Sequence, residues 1–296
     1  MNGMATTLTT SLKCGDRVLD LTRPHVMGIL NITPDSFSDG GLFISATENN
    51  NQVRLDKVME HAQYMTFHGA AILDVGGEST RPGAAAVTVN DERARVLPVI
   101  ESIKEKLPEC LISVDTSKPQ IMQDAINAGA HIINDVNALQ GEGAVETVAN
   151  SDLAVCLMHM QGEPRTMQNN PHYENVVEEV IAFLKVRIDV CVKAGISRDR
   201  IIIDPGFGFG KTLKHNLQLF KNLPRFKELG TALMVGVSRK SMIGAILGKE
   251  VTDRISGSIG FAALAAWLGA DIIRAHDVPQ SVDAVKVVHA VHSTDF

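Results

Sequence analysis

The chain has 296 residues, of which 45% are hydrophobic and 21% charged, a composition that is typical of folded globular proteins and excludes a small disulfide scaffold. Its 34 acidic and 28 basic residues give a net charge of -6, so no general attraction for nucleic acid is expected and any phosphate site must be local. The four cysteines are widely spaced and no apolar run has the length of a membrane span, which predicts a cytoplasmic protein that does not interact with membranes.

The chain begins with a predicted β-hairpin and continues as repeated βα units. Gly15-Asp16 is a turn signal between two short apolar stretches, which predicts a hairpin over about 13–21. Short runs rich in Ile, Val and Leu then predict strands at 26–32, 71–75, 111–114, 131–136, 153–158, 200–204, 232–237 and 271–275. Segments of helical period predict helices at 54–67, 92–107, 118–128, 175–194, 216–223, 253–268 and 279–291, with a short one between Gly141 and Asn150.

Eight consecutive βα units in a chain of this length favour a closed (β/α)8 TIM barrel, with the N-terminal β-hairpin covering its bottom. An open, doubly wound sheet is the competing α/β architecture. No linker or shift in composition divides the chain, so we expect a single domain over residues 1–296.

Polar residues end nearly every predicted strand, at the side where such barrels carry their active sites. In chain order they are Asn31, Asp74, Asp115, Asn134 with Asp135, His159, Asp204, Ser238 with Arg239 and Lys240, and Arg274 with His276. Acidic and amide groups end the third, fourth and sixth strands, whereas cations gather at the seventh and eighth, where these barrels commonly bind phosphate. This division predicts a substrate with an anionic end and a second end, such as a heterocycle, that donates hydrogen bonds.

Three loops between these elements carry further functional candidates. Residues 31–41 combine hydroxyls, carboxylates and glycines, as a mobile lid would. Arg81, in the loop 76–83, could hold a planar carboxylate with two hydrogen bonds. The glycine-rich run 206–212 lacks the Walker spacing because Pro205 stands where a glycine is required, which argues against an ATPase.

Taken together, these segments resemble the dihydropteroate synthase family. The matching stretches follow the family order over about residues 12–292, and they are 27–31, 33–41, 74–83, 113–116, 133–135, 158–162, 204–211, 236–241 and 274–278. The resemblance implies condensation of 6-hydroxymethyl-7,8-dihydropterin diphosphate with p-aminobenzoate, which gives 7,8-dihydropteroate and pyrophosphate. It also implies a TIM barrel, a homodimer, a requirement for Mg²⁺ and inhibition by sulfonamides.

The resemblance also implies roles for individual residues. Asp115, Asn134, Asp204 and Lys240 would bind the pterin ring, and Asn31 would help to hold the metal. The diphosphate would be bound by Arg274 and His276 with help from Thr80, and the aminobenzoate by Arg81, Pro82, Phe209, Ser238 and Lys240. Because the aniline nitrogen is already unprotonated at neutral pH, the chemical barrier lies in breaking the bond to diphosphate, and we expect an SN1-like displacement in which Asp115, Lys240, Arg274 and His276 take part.

Other functions are compatible with the same pattern. A methyltetrahydrofolate-dependent methyltransferase domain would share the barrel and the pterin pocket. A Schiff-base aldolase could use Lys240 as its nucleophile if that amine were neutral. A non-catalytic pterin-binding paralogue would keep the binding residues without turnover.

Overall fold

The computed structural model describes residues 9–33, 43–47, 50–79, 86–163 and 166–294. In chain order its strands are β1 (Ser11–Cys14), β2 (Arg17–Asp20), β3 (His25–Asn31), β4 (Ile44–Thr47), β5 (Asn50–Val53), β6 (Ile72–Gly76), β7 (Leu111–Asp115), β8 (Ile132–Asp135), β9 (Ala154–Met158), β10 (Ile201–Asp204), β11 (Ala232–Val235) and β12 (Ile272–Ala275). Its α-helices are α1 (Leu55–Phe67), α2 (Val89–Lys106), α3 (Pro119–Ala128), α4 (Ala144–Ala149), α5 (Val176–Lys193), α6 (Leu213–Lys221), α7 (Leu223–Lys227), α8 (Ser241–Leu247), α9 (Ile255–Trp267) and α10 (Val278–His292).

Eight parallel strands form a closed barrel in the cyclic order β3, β6, β7, β8, β9, β10, β11, β12. These are the eight apolar runs of the sequence, with ends within two residues of their predicted positions. Their residues are buried on both faces because the barrel interior lies on one side and the surrounding helices on the other. The predicted (β/α)8 barrel is therefore confirmed, and an open sheet is excluded.

The N-terminal hairpin covers the end of the barrel at which the strands begin. β1 and β2 pair in antiparallel fashion with Leu12 opposite Leu19, and the Gly15 N–H donates to the Asp152 carbonyl at 2.9 Å. Leu12 and Leu19 pack in one apolar cluster with residues near the start of the barrel strands, such as Ile132 of β8. The hairpin is thus confirmed, and it excludes water from the closed end of the barrel.

The helices pack on the outside of the barrel through the apolar faces that their period predicts. In α1 the buried residues are Val58, Met59, Ala62 and Met65, a spacing of three and four that presents one face to the strands. Burial of this face, more than intrinsic propensity, stabilises such a helix.

Some elements differ from the sequence expectation. α6 begins at Leu213 because the Thr212 hydroxyl accepts from the His215 N–H in a capping box. The pair β4 and β5 and the short helices α7 and α8 were not expected. With five and seven residues, α7 and α8 are too short for a helical period to be recognised.

Candidate active site

The strand ends named by the sequence meet at the carboxyl-terminal rim of the barrel. Strand register places Gly76 beside Asn31 on one side and Asp115 on the other, with Asn134 next in the row. A Cβ on Gly76 would lie 3.3 Å from Asn31 Oδ1 and 3.9 Å from Asp115 Oδ2. The Asn31 amide oxygen and the Asp115 carboxylate therefore approach the same face of Gly76, where a side chain would crowd them.

Asp74 is the centre of the polar network just below the rim. This fully buried carboxylate accepts hydrogen bonds from Ser113 Oγ at 2.6 Å, Asn134 Nδ2 at 3.1 Å and Arg274 Nε at 2.6 Å. The three donors come from β7, β8 and β12, so the network joins strands on different sides of the barrel. These bonds offset the hydration that the carboxylate lost on burial.

Arg274 links this buried network to Asp115. Its Nη2 donates to Asp115 Oδ2 at 3.0 Å. Burial would lower the pKa of Arg274, but the carboxylates of Asp74 and Asp115 outweigh it and raise that pKa. Burial raises the pKa of Asp115 to about 7, against the opposing effect of Arg274. The ion pair with Arg274 therefore favours the charged form of Asp115 against the effect of its burial.

Asp204 and Lys240 form a second group across the barrel mouth. Asp204 Oδ1 accepts from the Gly206 N–H at 2.7 Å, and burial raises its pKa while Lys240 opposes the rise. Burial lowers the pKa of Lys240 to about 8, with Asp204 as the main opposing influence. The Lys240 ammonium donates to the Phe207 carbonyl and lies 4.6 Å from the centroid of the Phe209 ring. Carboxylate, cation and aromatic ring are thus within reach of one ligand.

The Asp74–Arg274–Asp115 network and the Asp204–Lys240 pair face each other across Gly236. A Cβ on this residue would lie 3.8 Å from Arg274 Cδ and 3.9 Å from Asp204 Oδ2. The structure therefore brings the predicted pterin residues Asp115, Asn134, Asp204 and Lys240 into the same mouth as Arg274.

Ser238 and His276 lie together at the ends of the last two barrel strands. The Ser238 hydroxyl oxygen is 3.1 Å from His276 Nδ1 and accepts from the His276 N–H at 3.2 Å. Arg239, which the sequence groups with these cations, instead donates to both carboxylate oxygens of Asp277 at 2.5 and 3.1 Å. Arg239 therefore stabilises the start of α10 through Asp277, whereas Lys240 and Arg274 lie on the mouth side.

Part of the expected site lies outside the described residues. Thr80, Arg81, Pro82 and the loop positions 34–42 belong there, and their roles stay predictions. Glu78, two residues before Thr80, is held in place because Lys118 Nζ donates to it at 2.5 Å and also contacts the buried Glu92.

The donor set at the rim suits a metal ion that arrives with a phosphate ligand. No group of three or more His, Cys, Asp or Glu side chains that could hold an ion is found within the described ranges. Asn31 Oδ1 and Asp115 Oδ2 are nevertheless hard oxygen donors that both lie within 4 Å of the position that a Cβ on Gly76 would take. Mg²⁺ commonly binds through one or two such protein oxygens, with water and substrate phosphates completing its shell.

Sequence reasoning gave no binding role to Asp74 and did not single out Ser113. Asp74 was recognised as a strand-end residue, but its importance lies in contacts with Arg274 and Asn134, which are 200 and 60 positions away. The available signal was the alternation of side chains along β6 and β7. Asp74 and Ser113 are register partners in these strands, so their side chains lie on the same face of the sheet.

A cavity of about 610 Å³ at the opposite end of the barrel lacks the buried carboxylates and cations of the rim. Its lining includes two acids, Asp16 and Asp152, and two cations, Arg17 and Lys104. Burial lowers the pKa of His131, which also lines the cavity, and favours its neutral form. None of the rim residues lines it. The rim, with its buried carboxylates and cations, is therefore the candidate active site.

Comparison with known proteins agrees with this assignment. The model of the family described as "Pterin binding enzyme" matches residues 27–276. Dihydropteroate synthase of Escherichia coli K12 is 51% identical over 275 residues, which cover 93% of this chain and 94% of that protein.

None of the described helices has the length and apolarity needed to cross a bilayer.

Solved structures show the same fold. The Yersinia pestis dihydropteroate synthase, in a sulfonamide drug complex, superposes with a TM-score of 0.90 at 46% identity and covers 96% of this chain and 100% of its own. The Xanthomonas albilineans enzyme with 4-aminobenzoic acid gives a TM-score of 0.87 at 45% identity, with coverage of 97% and 100%. Identity of this order over nearly the whole length confirms the resemblance inferred from the strand-end motifs: the chain belongs to the dihydropteroate synthase family of pterin binding enzymes.

Proposed function

We propose that the rim site condenses 6-hydroxymethyl-7,8-dihydropterin diphosphate with p-aminobenzoate to form 7,8-dihydropteroate and pyrophosphate. The observation that carries this assignment is the arrangement of two carboxylates, Asp115 and Asp204, on either side of a mouth that also holds Arg274 and Lys240. The relatives bear the name of this enzyme, and one of them has been crystallised with 4-aminobenzoic acid.

The carboxylates provide a reason for a pterin to bind here. A 2-amino-4-oxo pyrimidine ring presents adjacent N–H groups, and a carboxylate can accept two such bonds side by side. Asp204, which already accepts from the Gly206 N–H through Oδ1, keeps acceptor capacity for the ligand. Asn134 is oriented by Asp74 at 3.1 Å, so its carbonyl oxygen has a defined direction in the mouth.

The reaction breaks the bond between the pterin methylene carbon and the diphosphate oxygen, and it forms a carbon–nitrogen bond. The electron pair of the broken bond leaves with pyrophosphate, while the pterinylmethyl group becomes electron-poor. A charged Asp115 stabilises this positive charge in the transition state. The unprotonated aniline nitrogen then attacks the carbon and releases one proton, so the step requires no strong base.

The cations of the last strands suit the departing diphosphate. Arg274 uses its Nε and Nη2 groups for Asp74 and Asp115, and a guanidinium has five N–H donors in all. The remaining donors can bind a phosphate oxygen while the guanidinium keeps its place. His276, oriented by Ser238 at 3.1 Å, adds a second donor on the same side.

We also propose that Mg²⁺ accompanies the diphosphate and that Asn31 Oδ1 helps to hold it. When bound, the ion neutralises negative charge on the leaving group. The support is the approach of Asn31 Oδ1 and Asp115 Oδ2 to the same face of Gly76 and the oxygen chemistry of those donors.

Aminobenzoate is proposed to bind at the glycine-rich loop, with Arg81, which lies outside the described residues, as the expected partner of its carboxylate. The Phe209 ring and the Lys240 ammonium, 4.6 Å from its centroid, supply a flat wall and a positive charge. The sulfonamide drug complex of the Yersinia pestis relative supports the expected inhibition of this chain by sulfonamides.

A homodimer is the proposed assembly, because neighbouring helices α9 and α10 carry an exposed apolar face. Leu264, Trp267, Val287 and Val291 are each more than half exposed. The Trp267 ring meets His292 of α10 edge-on, with centroids 4.4 Å apart, so the two helices form one continuous surface. Patches of large apolar side chains of this kind commonly mark contacts between subunits. A cytoplasmic location is also proposed, consistent with four free, buried thiols.

One assay tests the function directly. The purified chain is mixed with pterin diphosphate, p-aminobenzoate and Mg²⁺, and pyrophosphate and dihydropteroate are followed together. Equal amounts of the two products are expected. A methyltransferase domain or a non-catalytic paralogue would yield neither product, and an aldolase using Lys240 would form an adduct that borohydride traps.

A further inference from the structure

Lys211, at the end of the glycine-rich loop, is buried, and within the described residues its amine makes hydrogen bonds to neutral groups. Only 3% of the residue is exposed. Its Nζ lies 2.9 Å from His159 Nδ1 and donates to the carbonyls of Gly206 at 2.8 Å, Phe209 at 2.9 Å and His159 at 3.2 Å. These four acceptors outnumber the three donors of an ammonium, which has no acceptor of its own. They therefore favour the protonated amine against the effect of burial, which lowers the pKa of Lys211 well below its usual range.

His159 is placed to accept rather than to donate at this contact. Burial, reinforced by Lys211, lowers the pKa of His159 to about 3, so the ring is neutral. A neutral imidazole that accepts at Nδ1 carries its proton on Nε2. The ring is held by Phe183, which packs edge-on at a centroid distance of 4.9 Å.

The loop whose carbonyls Lys211 binds also contacts active-site residues at three positions. The Gly206 N–H donates to Asp204 at 2.7 Å, the Phe207 carbonyl accepts from Lys240, and Phe209 faces the same ammonium. Gly206 has a φ of +72°, and a Cβ there would overlap the His159 carbonyl oxygen. This close approach is what allows one ammonium to reach both the loop and the end of β9.

We propose that Lys211 and His159 form a positioning unit that fixes the loop 205–210 so that Asp204, Phe209 and Lys240 keep the geometry the reaction needs. The inference rests on the proposed function, and it adds two residues that contact no substrate themselves. Lys211 also places a positive charge near Asp204, where it favours the carboxylate form.

The alternative is that the pair merely stabilises the fold, and the choice of variants separates the two. Lys211→Met keeps the length of the side chain and removes its donors. His159→Leu removes the Nδ1 acceptor, whereas His159→Asn restores an oxygen acceptor at a comparable distance from the backbone. Lys214→Met, at an exposed lysine on the first turn of α6, is the matched control.

The measurements are the thermal unfolding temperature, kcat, KM for p-aminobenzoate and calorimetric affinity for pterin diphosphate. At a temperature where every variant is folded, we expect Lys211→Met and His159→Leu to lower kcat/KM for aminobenzoate by about 10²-fold, the scale of a 1 Å misplacement. Most of this loss should appear in KM, because Phe209 and Lys240 form the proposed aminobenzoate site. His159→Asn should recover activity to within about threefold of the wild type, and Lys214→Met should match it.

Two results would overturn the positioning role. One is a folded Lys211→Met protein with the kcat and KM of the wild type. The other is a His159→Asn protein as impaired as His159→Leu, since the acceptor would then not be the relevant property. If Lys211→Met does not fold, the two His159 variants decide the question.

The wild-type assay keeps the two proposals separate. Absence of dihydropteroate from the wild-type reaction would refute the proposed function, whatever the variants do. In that case the pair is judged by pterin diphosphate affinity, which the loss of the Gly206 contact to Asp204 should weaken in His159→Leu and not in His159→Asn.

Discussion

Replacing Arg274 by alanine is expected to lower turnover by about 10²- to 10³-fold, the usual effect of removing one preorganised electrostatic donor. The guanidinium donates to Asp74 at 2.6 Å and to Asp115 at 3.0 Å, and its loss leaves two carboxylates without their cation. Breaking a buried ion pair from one side costs about 3–5 kcal/mol of stability. With 19% of the Arg274 side chain exposed, the lower end of this range is expected.

The same substitution should change the pH profile in a defined direction. Arg274 favours the charged form of Asp115, whose pKa is about 7, so its removal raises this pKa further. If turnover requires the Asp115 carboxylate, activity rises with pH through that pKa, and the half-maximal point of the variant moves to higher pH.

Steady-state turnover with Mg²⁺ from pH 6 to 9, alongside thermal unfolding, measures both effects. Lys227→Met is a suitable control, because it removes a cation from the 2.5 Å ion pair with Asp271 at the other end of the barrel. This control should lose stability and keep its turnover. Turnover of Arg274→Ala within threefold of the wild type, or an unchanged pH profile, would refute the assigned role.

Three further predictions concern the ligands and the assembly. Arg81→Ala should raise KM for p-aminobenzoate by about tenfold, the scale of a lost charge-assisted bond, and leave calorimetric pterin diphosphate binding intact; equal loss for both ligands would contradict it. Asn31→Ala should raise the Mg²⁺ concentration for half-maximal turnover by about tenfold, measured by titration, whereas an unchanged requirement would remove Asn31 from the metal site. Trp267→Lys should shift the proposed dimer toward monomer in analytical ultracentrifugation, because a charge at the centre of an apolar interface is costly; an unaltered dimer would exclude this face.

Much of the site could be predicted because it depends on local features of the chain. In parallel barrels the residue that ends a strand lies at the active rim, so Asn31, Asp115 and Asp204 could be placed before any contact was known. The direction of the Arg274 side chain could not, since its partners Asp74 and Asp115 are 200 and 159 positions away. The guanidinium was expected to bind the diphosphate, and the structure shows that it binds the carboxylates of Asp74 and Asp115.

Arg239 and Lys211 illustrate the same limit. Next to Lys240 in the sequence, Arg239 has a left-handed backbone with a φ of +58° and its side chain pairs with Asp277. The glycine-rich run was considered as a phosphate loop that lacks the Walker spacing, whereas the structure shows the Gly206 and Phe209 carbonyls accepting from the buried Lys211 amine. Adjacent residues can thus have unrelated roles once the backbone turns between them.

The amino-acid sequence by itself determined the number of βα units, the hairpin at the closed end and the polar residue at each strand end. These properties follow from short-range periodicity and from turn residues, which act within a few positions of the chain. Only the tertiary structure decided which polar groups meet, as in the contacts of Asp74 with Ser113, Asn134 and Arg274. Those contacts depend on the register and closure of the barrel, because closure brings the last strand beside the first and turns residues far apart in the chain into neighbours.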